Sequence, residues 1–249
     1  MKTPRRQSSA TRASAAKAST KRGHVQDEVA ARLRHGLMVG AFIPGQVMSL
    51  RKLAAAFGTS PMPVRDALGQ LVAANALEET PGRSVRVPRM TDERLRELFE
   101  IRESVEGIAA RNACRKATPA LVRELTAINR ELKAGIARRE VLASLDANQR
   151  FHFALYRAAQ SDVLMPLIES LWLQAGPTMY FSFLAPDMPW DASAHGEVLD
   201  ALRRKDAAAA QRAIARDIRT TGRHLAAIGA NPPAGGPMRS PMAELRIDL

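Results

Sequence analysis

Asn148 and His152 stand one helical turn apart in "NQRFHFALYRAA" (148–159), on a stripe that Leu145, Leu155 and Ala159 complete at three- and four-residue steps. An amide and an imidazole on an apolar helix face are buried polar groups, and such groups need partners. His195 and Asp217 can supply them. With a turn near Asp206 each lies eleven residues from it, so an antiparallel helix pair brings both to one level. His195 shares its stripe with Leu199 and Leu202, and Asp217 shares its own with Ile214 and Ile218. Two imidazoles, a carboxylate and an amide oxygen in one interior pocket suit a divalent transition metal, zinc or nickel, with positions open to water or a bound acid. The alternative is a metal-free, hydrogen-bonded core cluster. Arg102 lies on a further inward stripe with Leu95, Leu98, Val105 and Ala109. A buried guanidinium asks for a carboxylate, either that of Glu106 or one carried by a ligand.

The elements that would position these groups are helical nearly throughout. Periodicity predicts helices over 91–115, 118–136, 140–159, 161–184, 190–204 and 206–229, the first capped by Thr91 and the fourth open to splitting at Pro177. That is an all-α bundle of six or seven helices. Upstream, Val25, Val29, Leu33 and Leu37 mark a helix that stops at Gly40, and "GAFIPGQVMSL" (40–50) follows as a loop. Ser49 caps a short helix, and a turn at Gly58 leads into "GTSPMPVRDALGQL" (58–71). There Ser60 is placed as N-cap, Pro61 suits the first helical position, and Pro63 lies where N–H groups have no partner anyway. Val64, Leu68, Leu71 and Val72 point inward, leaving Met62, Arg65, Asp66, Gly69 and Gln70 nearer the other face. Arg65 is a first-turn cation set against the helix dipole, which is unfavourable unless an anion such as a phosphate chain lies in front of it. Two helices joined by a tight Gly-containing turn are a helix-turn-helix, and "LEETPGRSVRVPRM" (77–90) adds a small hairpin, or wing.

The fold class is therefore mainly α: an N-terminal winged helix-turn-helix joined to a C-terminal helical bundle. The boundaries fall at 1–22 (a disordered basic arm), 23–90 (the reader), 91–230 (the bundle) and 231–249 (a disordered tail rich in Pro and Gly). Composition agrees, with 46% hydrophobic but only 4% aromatic residues. The formal charge of +12 is uneven, because residues 1–22 hold seven Lys or Arg and no acid, against thirty bases and twenty-five acids in the remainder. The arm imitates a transit peptide in composition but is better read as a source of non-specific phosphate attraction that weakens with salt. The lone Cys114 excludes an internal disulfide and suits a reducing, cytoplasmic setting. The apolar stretch 167–186 is broken by Glu169, Gln174, Gly176 and Pro177, so no membrane span is expected. His24, His35 and His224 have no convergent partners in the pattern and are assigned ordinary surface roles.

Residues 25–87 resemble the winged-helix reader of the GntR family of bacterial transcription regulators. The segments that carry the likeness are "IPGQ", "LRKLAAAFGTSPMPVRDALGQLVAANAL" and "GRSVRV". The remainder resembles the FCD ligand-sensing domain of the FadR-like branch through "LFEIRESVEGIAARNA" (98–113), "NQRFHFALYRAA" and "AHGEVLDALRRKDAAAAQRAI" (194–214). The resemblance implies that Arg51, Ser60, Met62 and Arg65 face DNA and that Gly82 and Arg83 form a wing tip in the minor groove. Many members carry Arg where this chain has Pro61, which removes one expected contact and bears on operator preference. FCD domains often hold a metal at the four positions named above, usually with Asp in place of Asn148 and His in place of Asp217. The likeness also implies a small organic-acid effector whose carboxylate bridges Arg102 and the metal.

The expectation is thus a cytoplasmic, ligand-responsive regulator and not an enzyme, a homodimer reading a palindromic duplex operator, with repression relieved by effector as the commoner family behaviour. Two other classes use the same features. A metal-dependent helical enzyme around His152, His195 and Asp217 would need a base or nucleophile motif, and none is present. An architectural DNA-binding protein would rely on charge, bind without sequence preference, and leave the interior cluster without purpose.

Overall fold

A computed structural model describes residues 9–81, 84–184 and 192–230. Gly82 and Arg83, expected at the wing tip, lie outside the described residues, as does the 231–249 tail.

Helix α1 (Ser9–Met38) buries Val29, Leu33 and Leu37, the stripe expected of it. It begins well before Val25, inside the stretch expected to be a disordered arm. The reason is local: Ser9–Met38 contains no proline and is rich in Ala, Lys and Arg, which favour helix. Helix α2 (Leu50–Ala56) is capped by Ser49, whose hydroxyl accepts from the Lys52 N–H, and Gly58 takes the left-handed turn (φ +59°) that leads to α3 (Pro61–Ala73). α3 buries Val64, Ala67, Leu68 and Leu71, so its opposite face is free for a partner.

The wing is larger than a hairpin. Strands β1 (Val47–Met48), β2 (Glu78–Thr80) and β3 (Ser84–Arg86) form an antiparallel sheet in the order β1-β3-β2, with Val47 opposite Arg86 and Glu79 opposite Val85. β1 lies within the segment expected to be loop. Two residues between Gly/Pro turns carry no alternation of their own, and only pairing with β3 makes them a strand.

The bundle comprises α4 (Asp92–Lys116), α5 (Pro119–Arg138), α6 (Val141–Arg157), α7 (Leu164–Leu184), α8 (Ser193–Arg204) and α9 (Ala207–Ile228). Thr91 caps α4 by accepting from Arg94, and Asp92 and Glu93 favour its positive end. α7 runs through Pro177 as one element, so the bundle has six helices among the described residues. Thr178 Oγ1 donates to the Ala175 carbonyl inside that stretch. α4 lies along α9, α5 along α6, and α8 folds back on α9. This last pairing sets His195 beside Asp217.

The reader docks on the bundle through the C-terminal end of α1. Gly176 of α7 meets it so closely that a Cβ there would lie 2.3 Å from the Leu37 carbonyl oxygen and 2.6 Å from Met38 Cα. Arg34 pairs with Glu169 (2.8 Å) and His35 with Asp146 (3.1 Å) across the same junction. His35 is exposed, as expected of it, but it does have a partner, and the contact joins two parts of the molecule. Its partner is 111 residues away, beyond any periodicity in the chain. His224 is half-buried with its Nε2 enclosed, which differs from the surface role expected of it.

Candidate functional site

His152 (α6), His195 (α8) and Asp217 (α9) converge, with one ligand atom from each lying within 4.8 Å of the others. His152 Nε2 is 3.3 Å from His195 Nε2 and 3.3 Å from Asp217 Oδ2. Both imidazoles are 2% exposed, whereas the Asp217 side chain keeps 26%, so the group opens toward solvent on the α9 side. A cavity of about 80 Å³ lies against them, lined also by Asn148, Arg102, Phe99 and Met179. That space takes several water-sized groups, hence a small ligand. Asn148 lines the same cavity as the two histidines and Asp217.

Each imidazole is held from behind. His152 Nδ1 is 2.8 Å from the Tyr156 hydroxyl, which donates to Glu106 Oε2 at 2.7 Å. His195 Nδ1 is 3.2 Å from Asn129 Oδ1 on α5, and its ring stacks on Phe151 at 3.9 Å. Burial lowers the His195 pKa to about 3, which keeps its ring neutral and able to act as a ligand. At Asp217 burial works to raise the carboxyl pKa, but the His152 contact, both imidazoles and Arg102 outweigh it, and the net shift is downward. Burial first, and then the Glu106 charge, pushes the Tyr156 phenol well above its ordinary range, so it remains a donor.

Arg102 is buried, as its stripe predicted, and its Nε donates to Glu106 Oε1 at 2.7 Å. Its guanidinium lies over Trp172 (4.7 Å) and Phe99 (4.9 Å). Glu106 is fully buried and also accepts from Trp172 Nε1 at 2.9 Å. The in-protein carboxylate is thus the partner in place, while Arg102 still lines the cavity. The pattern of the chain missed Asn129, Tyr156 and Trp172. The one available signal was that Tyr156 follows His152 by four residues on the same helix face.

On the reader, Arg51, Ser60 and Arg65 are exposed and Met62 is 57% exposed. Among the described residues no ion pair engages Arg65, and Glu78 of the wing pairs with Arg86 at 2.5 Å. Ser60 occupies the N-cap position in extended conformation, yet its side chain makes no cap bond. The expected cap fails because Pro63 removes the N–H at the third helical position, where such a hydroxyl normally bonds. The Ser60 hydroxyl is left exposed and without a cap partner.

The three-stranded wing, the α2–α3 pair and the appended bundle define a winged helix-turn-helix protein with a helical second domain. Residues 25–87 match the bacterial regulatory proteins of the gntR family and residues 97–220 match the FCD domain. The chain belongs to the GntR family and is a DNA-binding transcriptional regulator with an FCD domain. It is similar to the HTH-type transcriptional regulator McbR of Escherichia coli K12, at 32% identity over 178 residues, 70% of this chain and 80% of McbR. It is similar also to the HTH-type transcriptional repressor RspR of the same organism, at 24% over 189 residues, 75% of this chain and 82% of RspR. The solved structure of E. coli McbR/YncC superposes with a TM-score of 0.76 at 27% identity, covering 83% of this chain and 99% of that one. These relatives are named as regulators, which sets the enzyme reading aside. Among the described residues no helix is long and apolar enough to cross a membrane.

Proposed function

We propose that this regulator senses a small organic acid at a divalent metal in its bundle, and that the bound state alters how a homodimer presents two α3 helices to a palindromic operator. The observation that carries the reading is the convergence of His152, His195 and Asp217 beside Arg102 at one small cavity. Two neutral nitrogen donors and a carboxylate fit zinc or nickel, with Asn148 at hand on the cavity wall. A bound metal would supply a Lewis-acidic position for a ligand carboxylate. Arg102 spends its Nε on Glu106, so its terminal N–H groups serve the ligand's second oxygen.

The cavity wall also suggests how binding reaches the reader. Met179 lines the cavity from α7, and three residues earlier on that helix Gly176 abuts α1. An effector that prefers one position of α7 would thereby favour one reach between the paired readers.

Elemental analysis of protein purified without chelators tests the metal. Near one equivalent of zinc or nickel per chain is expected, falling below a tenth of that in His152→Ala, since removing a ligand from a three-residue set leaves too few donors. Stoichiometry unchanged by the substitution would refute the site. A thermal-shift screen of short organic acids on the metal-loaded protein then identifies the ligand class, with Arg102→Ala as the control that should lose the response.

For the reader, Arg51 and Ser60 are assigned to phosphates, Met62 to a thymine methyl and Arg65 to a base edge or phosphate. Arg65→Ala should weaken binding to an operator selected from random duplexes by about 10–100-fold at physiological salt. Because Arg65 is exposed and unpaired, its thermal unfolding should match wild type. Equal operator affinity for the two proteins would remove Arg65 from the interface.

A further inference from the structure

We infer that Tyr156 and Asn129 are positioning residues that fix which nitrogen of each cavity histidine faces a metal, with Glu106 keeping Tyr156 in its donor role. This rests on the metal reading above and adds to it the cause of the site's geometry.

The assignment follows from counting protons along the chain of contacts. Glu106 is fully buried and takes Arg102 Nε on Oε1 and Trp172 Nε1 on Oε2, the pattern of an ionised carboxylate that only accepts. The Tyr156 hydroxyl lies 2.7 Å from Oε2 and has one proton, which must go to Glu106. Its oxygen can then only accept from His152 Nδ1 at 2.8 Å, so that nitrogen carries a proton. On the other ring, Asn129 presents its carbonyl oxygen to His195 Nδ1 at 3.2 Å, so that nitrogen also carries a proton. With Nδ1 so engaged, Nε2 is the His195 nitrogen left to face a metal.

Both Nδ1 atoms are thereby committed behind the site, and both Nε2 atoms point to the same place, 3.3 Å apart. With Asp217 Oδ2 3.3 Å from His152 Nε2, the site needs one positive centre between its three atoms, a proton or a metal. Without the Tyr156 hydroxyl, His152 can move its proton to Nε2 and turn a protonated nitrogen toward the metal position. Partners that fix a ligating ring in this way usually affect metal affinity about 10–100-fold when removed.

The test uses the full chain as wild type, Tyr156→Phe and Asn129→Ala, with zinc and nickel salts as probes. Nitrogen-15 NMR of the imidazoles reads the tautomer in metal-free and zinc-loaded protein, and a chelator competition reads affinity. Wild type should show a proton on Nδ1 of His152 and of His195 in both states. Tyr156→Phe should shift His152 toward a proton on Nε2 with His195 unchanged, Asn129→Ala should do the converse, and each should weaken zinc binding about 10–100-fold. A bare Nδ1 on His152 in the wild type would overturn the inference. So would weaker zinc binding in Tyr156→Phe with the tautomer unmoved, which is what mere loss of packing would produce. The expected tautomers in a wild type that takes up neither metal would sink the metal reading alone and leave the role of Tyr156 and Asn129 standing.

Discussion

Replacing Glu106 with alanine is expected to lower stability by about 3–5 kcal/mol, the usual effect of stripping one partner from a buried ion pair. The Arg102 guanidinium is 2% exposed and would keep the faces of Trp172 and Phe99 while losing the carboxylate bonded to its Nε. The Tyr156 hydroxyl and Trp172 Nε1 lose their acceptor in the same change. Against a total of roughly 5–15 kcal/mol for a typical fold, the loss is a large fraction of what holds the protein together. Denaturant unfolding should show a lower midpoint at unchanged slope, which separates lost stability from an altered unfolded state. Arg102→Met combined with Glu106→Leu should recover much of the loss, because a well-packed apolar pair is often as stable as the buried ions it replaces. A Glu106→Ala loss below about 1 kcal/mol would mean that water or another acid serves Arg102, contrary to the described geometry.

The second large effect lies at the reader–bundle junction. Gly176→Val should reduce stability by about 3 kcal/mol, the upper end for overpacking, because the atoms in the way are the α1 backbone and cannot rotate aside. For a chain of this length that corresponds to a melting point lowered by roughly 6–12 °C. Gly176→Ala should fall between the variant and wild type, since its Cβ already meets the Leu37 carbonyl oxygen at 2.3 Å. Forcing α1 from α7 also stretches the Arg34–Glu169 and His35–Asp146 pairs, which span the same junction. Operator affinity of the valine variant should then lose its dependence on metal loading, even where the reader itself still binds duplex. An unchanged melting curve for Gly176→Val would show that the two parts do not dock as described.

Much of the site was legible in the chain because helical periodicity is a local property. The stripe of Leu145, Asn148, His152 and Leu155 is buried as its spacing requires, and the equal distances of His195 and Asp217 from the α8–α9 turn did bring them together. Thr91 and Ser49 cap their helices because capping depends on residues within one turn. Ser60 shows the limit of the same rule, since a proline three residues on removes the N–H it would use.

The partners across the bundle were another matter. Tyr156 meets Glu106 over fifty residues of sequence and Trp172 meets it over sixty-six. Whether Arg102 is answered by the protein or by a ligand depends on which helices lie beside α4, and no periodicity within α4 contains that. The same holds for β1, a strand only by virtue of β3, and for Gly176, which looks like an ordinary helix breaker until α1 is laid across it. By itself the sequence determined the helices, their inward faces and the residues able to bind a metal, all set by neighbours within a turn or two. Packing decided which of those faces meet, and with it the hydrogen-bond partners, ion pairs and close approach, because each needs atoms from separate elements within a few ångströms.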